Sequence, residues 1–202
     1  MVDNANTTET QIFDAALRVF HKKGLAGARM QEIADEAGIN KSMLHYYFRN
    51  KEQLFSQVFF QSFRKFMGSV LPILNEPNTW EEKIPVVIEH YTQVMQGNPH
   101  LALFVINELR QNTDGFSSFI KDNPLLNTVC VAQLKQAMQN GEIRTVQPMQ
   151  IWLTITSNII FPFITEPMLK MTINFHDSDW DGFIADRKKI IADMLLLYLK
   201  NS

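Results

Sequence analysis

Between Arg29 and Gln53 the chain reads RMQEIADEAGINKSMLHYYFRNKEQ, two short runs of helically spaced apolar residues with a glycine between them. Met30, Ile33, Ala34 and Ala37 fall at i, i+3, i+4 and i+7, one face of a helix. Gly38 stands where that helix must end and the chain turn sharply, a position that favours a residue tolerant of positive φ. Asn40 is placed to cap the next helix, and Leu44, Tyr47 and Phe48 supply its inward side. Asn50 opens a third helix, and Gln53 completes a capping-box pattern with it. Helix, glycine turn and short helix together predict a helix-turn-helix.

The second of these helices carries the chemistry of a nucleic-acid reader. From Ile39 to Lys51 the cations are Lys41, Arg49 and Lys51, and no acid accompanies them. Ser42, His45, Tyr46 and Tyr47 are interleaved, all able to hydrogen-bond phosphates or base edges. A major groove admits one α-helix, and short polar or aromatic side chains near its start can touch bases. Lys51 is placed in the first turn of the following helix, where phosphate is attracted. The competing reading is a solvated surface helix that is merely basic, but turn, caps and aromatics agree on DNA.

The whole chain is not basic. Its 202 residues carry a net charge of −2 and are 46% hydrophobic, enough for one large core or two small ones. Any DNA signal must therefore be local, and Arg18, Lys22, Lys23 and Arg29 add to it upstream. Cys130 is the single cysteine, which excludes an internal disulfide and a cysteine metal cluster and suits a reducing compartment. No apolar run approaches the ~20 residues of a membrane span, and Met1–Thr10 lacks a signal-peptide core, so a soluble, cytoplasmic protein is expected.

Along the chain, Met1–Asn6 reads as a disordered lead-in, and Thr8 with Gln11 as the capping box of a first helix ending at Gly24. A long helix is expected from Lys51 until Pro72 interrupts it, then a capped one from Trp80 to Gln96, with Thr79 and Glu82 as its box. Further helices are expected over His100–Gln111, Pro124–Gln139, Pro148–Thr165 with a kink at Pro162, and Gly182–Lys200. No strand alternation stands out; the fold class is all-α, with about nine helices.

Phe20–Phe55, and above all IADEAGINKSMLHYYFRNKEQLF, resembles the N-terminal domain of the TetR/AcrR-like transcriptional regulators. The remainder agrees in helix count and in the NGEIR…P connection from Asn140 to Pro148. The resemblance implies a three-helix, homeodomain-like DNA-binding domain over residues 1–50 and a helical ligand-binding and dimerisation bundle over 51–202. It implies that Lys41, Ser42, Met43, His45, Tyr46 and Tyr47 face DNA and that Lys51 meets a phosphate. Two departures stand out. Ala28-Arg29 replaces the usual hydroxyl pair opening the second helix, leaving Arg29 to reach phosphate by itself; Met43 and His45 replace the common threonine and tyrosine. These changes bear on operator sequence rather than on binding mode. His45 as a core histidine is the alternative.

The same resemblance implies a repressor that binds a palindromic operator as a homodimer and is released by a small hydrophobic effector. Trp152, Ile155, Ile159, Ile191, Leu195 and Tyr198, on the last two helices, are the interface candidates, with burial in the protomer core as the rival reading. Tyr91, Met95, Phe104, Glu108, Trp152 and Asn158 are the effector-site candidates, though aromatics and methionines at helical spacing also simply build cores. A DNA-binding regulator without a small-molecule ligand, architectural or controlled by a partner, is the second reading. No cofactor, metal or enzymatic chemistry is expected. The DSDWDG run at Asp177–Gly182 imitates a calcium loop, but its twelfth position is Lys188, and no catalytic spacing of His, Ser or Cys occurs.

Overall fold

The computed structural model of the chain describes residues 2–98, 101, 102, 106, 124–172 and 177–200, of which 2–7, 177 and 178 are described by backbone alone. The described residues form two compact units: residues up to Lys65 with Ile106, and Phe66–Ala102 with the described residues from Pro124 onward. Eight α-helices and one 3-10 turn are found among them, and no strand.

The first unit contains α1 (Val2–Gly27), α2 (Met30–Glu36), α3 (Lys41–Tyr47) and the start of α4 (Lys51–Asn75). Helix α1 begins at Val2 rather than after a disordered lead-in, so Thr8 lies inside it and is not its cap. No glycine or proline interrupts the chain before Gly24, whose φ of 64° and ψ of 178° break the helix where expected. Ile12, Phe20, Ile33, Leu44, Phe48 and Leu54 are buried together, each contributing about 1.5–3 kcal/mol of apolar burial. Phe20 and Phe55 meet edge to face at 4.9 Å and Phe13 and Phe48 at 5.6 Å. Because Leu54, Phe55, Val58 and Phe59 are buried here, the first unit extends into α4. The expected boundary at residue 50 marks the start of that helix.

The second unit holds the rest of α4, then α5 (Trp80–Gly97), a 3-10 turn (Pro124–Asn127), α6 (Val129–Gln139), α7 (Pro148–Thr172) and α8 (Asp177–Lys200). Thr79 and Glu82 form the full capping box of α5. Helix α5 packs against α6, α7 and α8. The Lys188–Glu89 pair, at 2.7 Å, ties it to α8.

Prolines interrupt less than their sequence suggests. α4 runs through Pro72 to Asn75, with Pro72 exposed where water can take up the freed carbonyl. α7 runs through Pro162 and Pro167 to Thr172, its Pro162 and Phe163 packed inside the unit. α8 begins at Asp177 rather than at Gly182, so Asp179 and Asp181 sit within its first turns. The 3-10 turn replaces the first turn expected at Pro124, and Thr128 caps α6 through the Val131 N–H at 3.4 Å. The helix expected over His100–Gln111 lies largely outside the described residues.

Candidate nucleic-acid interface

The turn between α2 and α3 takes the form the sequence requires. Gly38 has a φ of 68°; its N–H donates to Asp35 O at 3.1 Å and the Ile39 N–H to Ala34 O at 3.0 Å, closing α2. Asn40 Oδ1 accepts from the Met43 N–H at 2.7 Å and starts α3. Asn50 likewise accepts from the Gln53 N–H at 2.7 Å, but the Gln53 side chain accepts from the Arg49 N–H, one residue short of a reciprocal box.

Helix α3 is held by one side and presents the other. Leu44 and Phe48, four residues apart, are buried in the three-helix core. Ser42 and Tyr46, also four apart, hold the opposite face, flanked by Met43 and His45 with Lys41 at the start, and all five are exposed. Exposure of His45 rules out the core-histidine alternative. Tyr46 is 85% exposed yet its ring is braced. A chain of ring contacts runs from Phe13 to Phe48 to Tyr47 to Tyr46 with centroids 5.6, 6.4 and 5.4 Å apart. Tyr47, half-buried, is the middle of that chain, so it braces a neighbour more than it offers a free tip.

Charge is distributed differently from the linear reading. Arg18 pairs with Glu36 at 2.6 Å and Lys23 with Glu32 at 2.9 Å, so two cations of α1 fasten it to α2. The Lys23 hydrogen bond, foremost, holds the Glu32 carboxyl below its ordinary range. Lys22, Arg29, Lys41 and Arg49 remain exposed. Arg29 occupies the N-cap of α2 and makes no side-chain cap. Lys51 is half-buried and its Nζ donates to Ala28 O at 3.1 Å, a strut from α4 to the turn between α1 and α2.

In the second unit Tyr91 and Met95 are buried on α5, and Tyr91 lies between Phe66 at 4.6 Å and Trp152 at 6.2 Å. Burial pushes the Tyr91 phenol well above its ordinary value. Asn158 is satisfied within the protomer: its Nδ2 donates to Thr154 O and its Oδ1 accepts from Arg187, both at 2.8 Å. The need for a ligand that its sequence position suggested is met by α8. Phe104 and Glu108 lie outside the described residues. Trp152 and Ile155 help line a narrow apolar slot of about 40 Å³ with Leu74, Ile84, Cys130 and Leu134. Burial pushes the Cys130 thiol up to about 11, which makes it unreactive.

Of the six interface candidates, Ile155, Ile159, Ile191 and Leu195 are buried in the protomer's own core, because the inward stripes of α7 and α8 close on α5. Trp152 is half-buried, and Tyr198 alone of the six is exposed. The outward sides of the same helices are apolar as well: Leu153, Phe161 and Met168 on α7, and Ile190, Met194 and Leu197 on α8. A groove of about 300 Å³ runs between them, lined by Gln150, Thr154, Met194 and Tyr198 among others. Two residues passed over in the sequence emerge here. Lys83 is fully buried and donates to Gln133 at 3.0 Å, and Arg187 joins α8 to α7 through Asn158.

Residues 12–58 match the model of the bacterial regulatory proteins of the tetR family. A curated relative, the fatty acid metabolism regulator protein of Bacillus subtilis, is 28% identical over 137 residues, covering 66% of this chain and 70% of that protein. The transcriptional repressor NicS of Pseudomonas putida is 43% identical over 54 residues, about a quarter of each chain (27% and 26%). Among solved structures, the transcriptional regulator FadR from Bacillus subtilis in complex with stearoyl-CoA aligns with a TM-score of 0.70 at 23% identity, covering 94% of this chain and 98% of that one. That likeness extends the shared fold across both units. With its helix-turn-helix inside the matched segment, the chain is similar to the tetR-family bacterial regulatory proteins and is a TetR-like regulator of transcription.

Proposed function

We propose that two copies of this chain bind a palindromic operator through α3 and release it when a small hydrophobic molecule enters the second unit. The observation that carries the reading is the outward face of α3, where Lys41, Ser42, Met43, His45 and Tyr46 stand exposed over a buried Leu44 and Phe48. A single recognition helix makes few contacts, so a pair of them on two half-sites is the arrangement expected of this motif. The apolar outward sides of α7 and α8 support a second copy as the partner, since water-facing apolar surface of this extent is otherwise a liability.

An acyl chain is the first effector to try, because the fatty acid metabolism regulator and the stearoyl-CoA complex stand among the similar proteins. The slot beside Trp152 holds about 40 Å³, room for little more than a water. An effector entering there must push helices apart, and it weakens DNA binding only to the extent that it prefers a DNA-incompetent state.

Fluorescence anisotropy with selected operator duplexes tests both halves. Sequence-selective binding that falls steeply as salt rises is expected, and an acyl-CoA is expected to reverse it. Selective binding that no acyl compound alters would favour a regulator without such an effector. Indifference to every duplex would end the DNA reading.

A further inference from the structure

We infer that the recognition face reads thymine through its methyl group, with Met43 and Tyr46 as the specificity-determining residues. The inference rests on the reading of α3 as the helix in the major groove and adds what it discriminates there. Helix α3 is KSMLHYY, without arginine, asparagine, glutamine or a carboxylate. Those are the side chains that pair bidentately with guanine or adenine, or accept from cytosine. Asn40, just before the helix, has its oxygen committed to the Met43 N–H. Lys41 remains as the one guanine reader of that kind, and Ser42 and His45 each accept more than one base.

Beside these polar groups the face offers apolar contact from two side chains. Met43 is 38% exposed and Tyr46 is 85% exposed, on neighbouring lines of the outward side. The major-groove edge of thymine differs from every other base in carrying a C5 methyl, and apolar contact is how proteins detect it. The Tyr46 ring reaches solvent already oriented by its edge contact with Tyr47, 5.4 Å away. Little side-chain freedom is then lost on docking, which makes a weak apolar contact count. Met43 is flexible and suits a methyl whose position varies with local groove shape.

The test starts from in vitro selection of duplexes by the full-length chain. Each thymine of the selected half-site is then replaced by deoxyuridine, which removes only the methyl, and affinities are compared by anisotropy. Wild-type protein is expected to lose about fourfold per critical methyl. Met43→Ala is expected to bind thymine and uracil duplexes alike at one such position, and Tyr46→Ala at another. Lys22→Ala should weaken all duplexes together and leave the discrimination intact. A selected site with no methyl-sensitive position overturns this inference alone, as does sensitivity that survives in both variants. Selection that enriches no sequence overturns the DNA reading and this inference with it.

Discussion

Helices α3 and α7 each bury one side and expose the other, but their exposed sides are of opposite kinds. Behind Leu44 and Phe48, α3 offers a lysine, a serine, a histidine, a methionine and a braced tyrosine. Behind Ile155 and Ile159, α7 offers Leu153, Phe161 and Met168. A polar and aromatic face is at ease in water and changes little when it meets a polyanion. An apolar face is not, and water drives it to find cover. The first unit therefore carries a surface for intermittent contact, and the second a surface suited to a standing one.

Substituting the two faces in the same way gives the largest contrast. Phe161→Glu is expected to split the proposed dimer: in a two-fold interface the change occurs twice, and burying each phenylalanine contributes about 1.5–3 kcal/mol. The dissociation constant should rise by roughly two powers of ten or more, measured by sedimentation velocity. Tyr46→Glu on α3 should leave the oligomeric state unchanged and abolish operator binding. If Phe161→Glu leaves the dimer intact, the outward side of α7 is not its interface.

Next in size is a contrast within α3 itself. Leu44→Ala, at a fully buried position, should cost about 2–5 kcal/mol and melt the first unit early. Tyr46→Ala should change stability by no more than about 0.5 kcal/mol while lowering operator affinity severalfold. Thermal melts followed by circular dichroism, paired with anisotropy, separate the two. A Tyr46→Ala variant that unfolds as readily as Leu44→Ala would mean that the aromatic chain supports the core rather than the reading surface.

That α3 was legible in the sequence and the α7 face was not has a local cause. Gly38, Asn40 and the spacing of Leu44 and Phe48 act within a dozen residues, so one short segment specifies the turn, the cap and the inward side. Tyr46 then points outward, and the exposure of His45 beside it settles the one position the sequence left open. α7 is apolar all round, with Ile155 buried and Phe161 exposed, and periodicity cannot say which apolar residue faces which neighbour. By periodicity alone Ile155, Ile159, Ile191 and Leu195 fit an interface as well as a core, and packing against α5 buries them. The pairs Arg18–Glu36 and Lys188–Glu89 join different helices across 18 and 99 residues, so no helical-period pattern announces them.

Lys51 sharpens the comparison at a smaller scale, because its charge lies near α3 but its bond goes to Ala28 O. Removing a hydrogen bond to a charged group costs about 1.5–3 kcal/mol, so Lys51→Met should lower first-unit stability by that order. The salt dependence of operator binding decides what the amine does. A phosphate contact contributes about 0.9 to the slope of log affinity against log salt, and a strut contributes nothing. The unchanged slope is the expected result. A slope reduced by about one unit would return Lys51 to the DNA contacts its sequence position implies.

The smallest effect expected belongs to the charge pairs that fasten α1 to α2. Glu32 donates nothing and accepts from Lys23, and that bond, with the cation's field, lowers its proton affinity in the folded chain. The unfolded chain, with an ordinary carboxyl value of 4.5, then binds the proton more readily. The stability this pair supplies is accordingly full above that value and is lost as pH falls through the lower, folded one. Melting temperatures of wild type and Glu32→Gln should differ slightly at neutral pH and converge in acid. Both partners are partly open to water, so added salt should narrow the difference as well. Convergence on acidification but not on salt would place the pair in a drier setting than its exposure implies. A difference that grows in acid would mean that the carboxyl is stabilised in its protonated form, and that Lys23 is free to serve DNA after all.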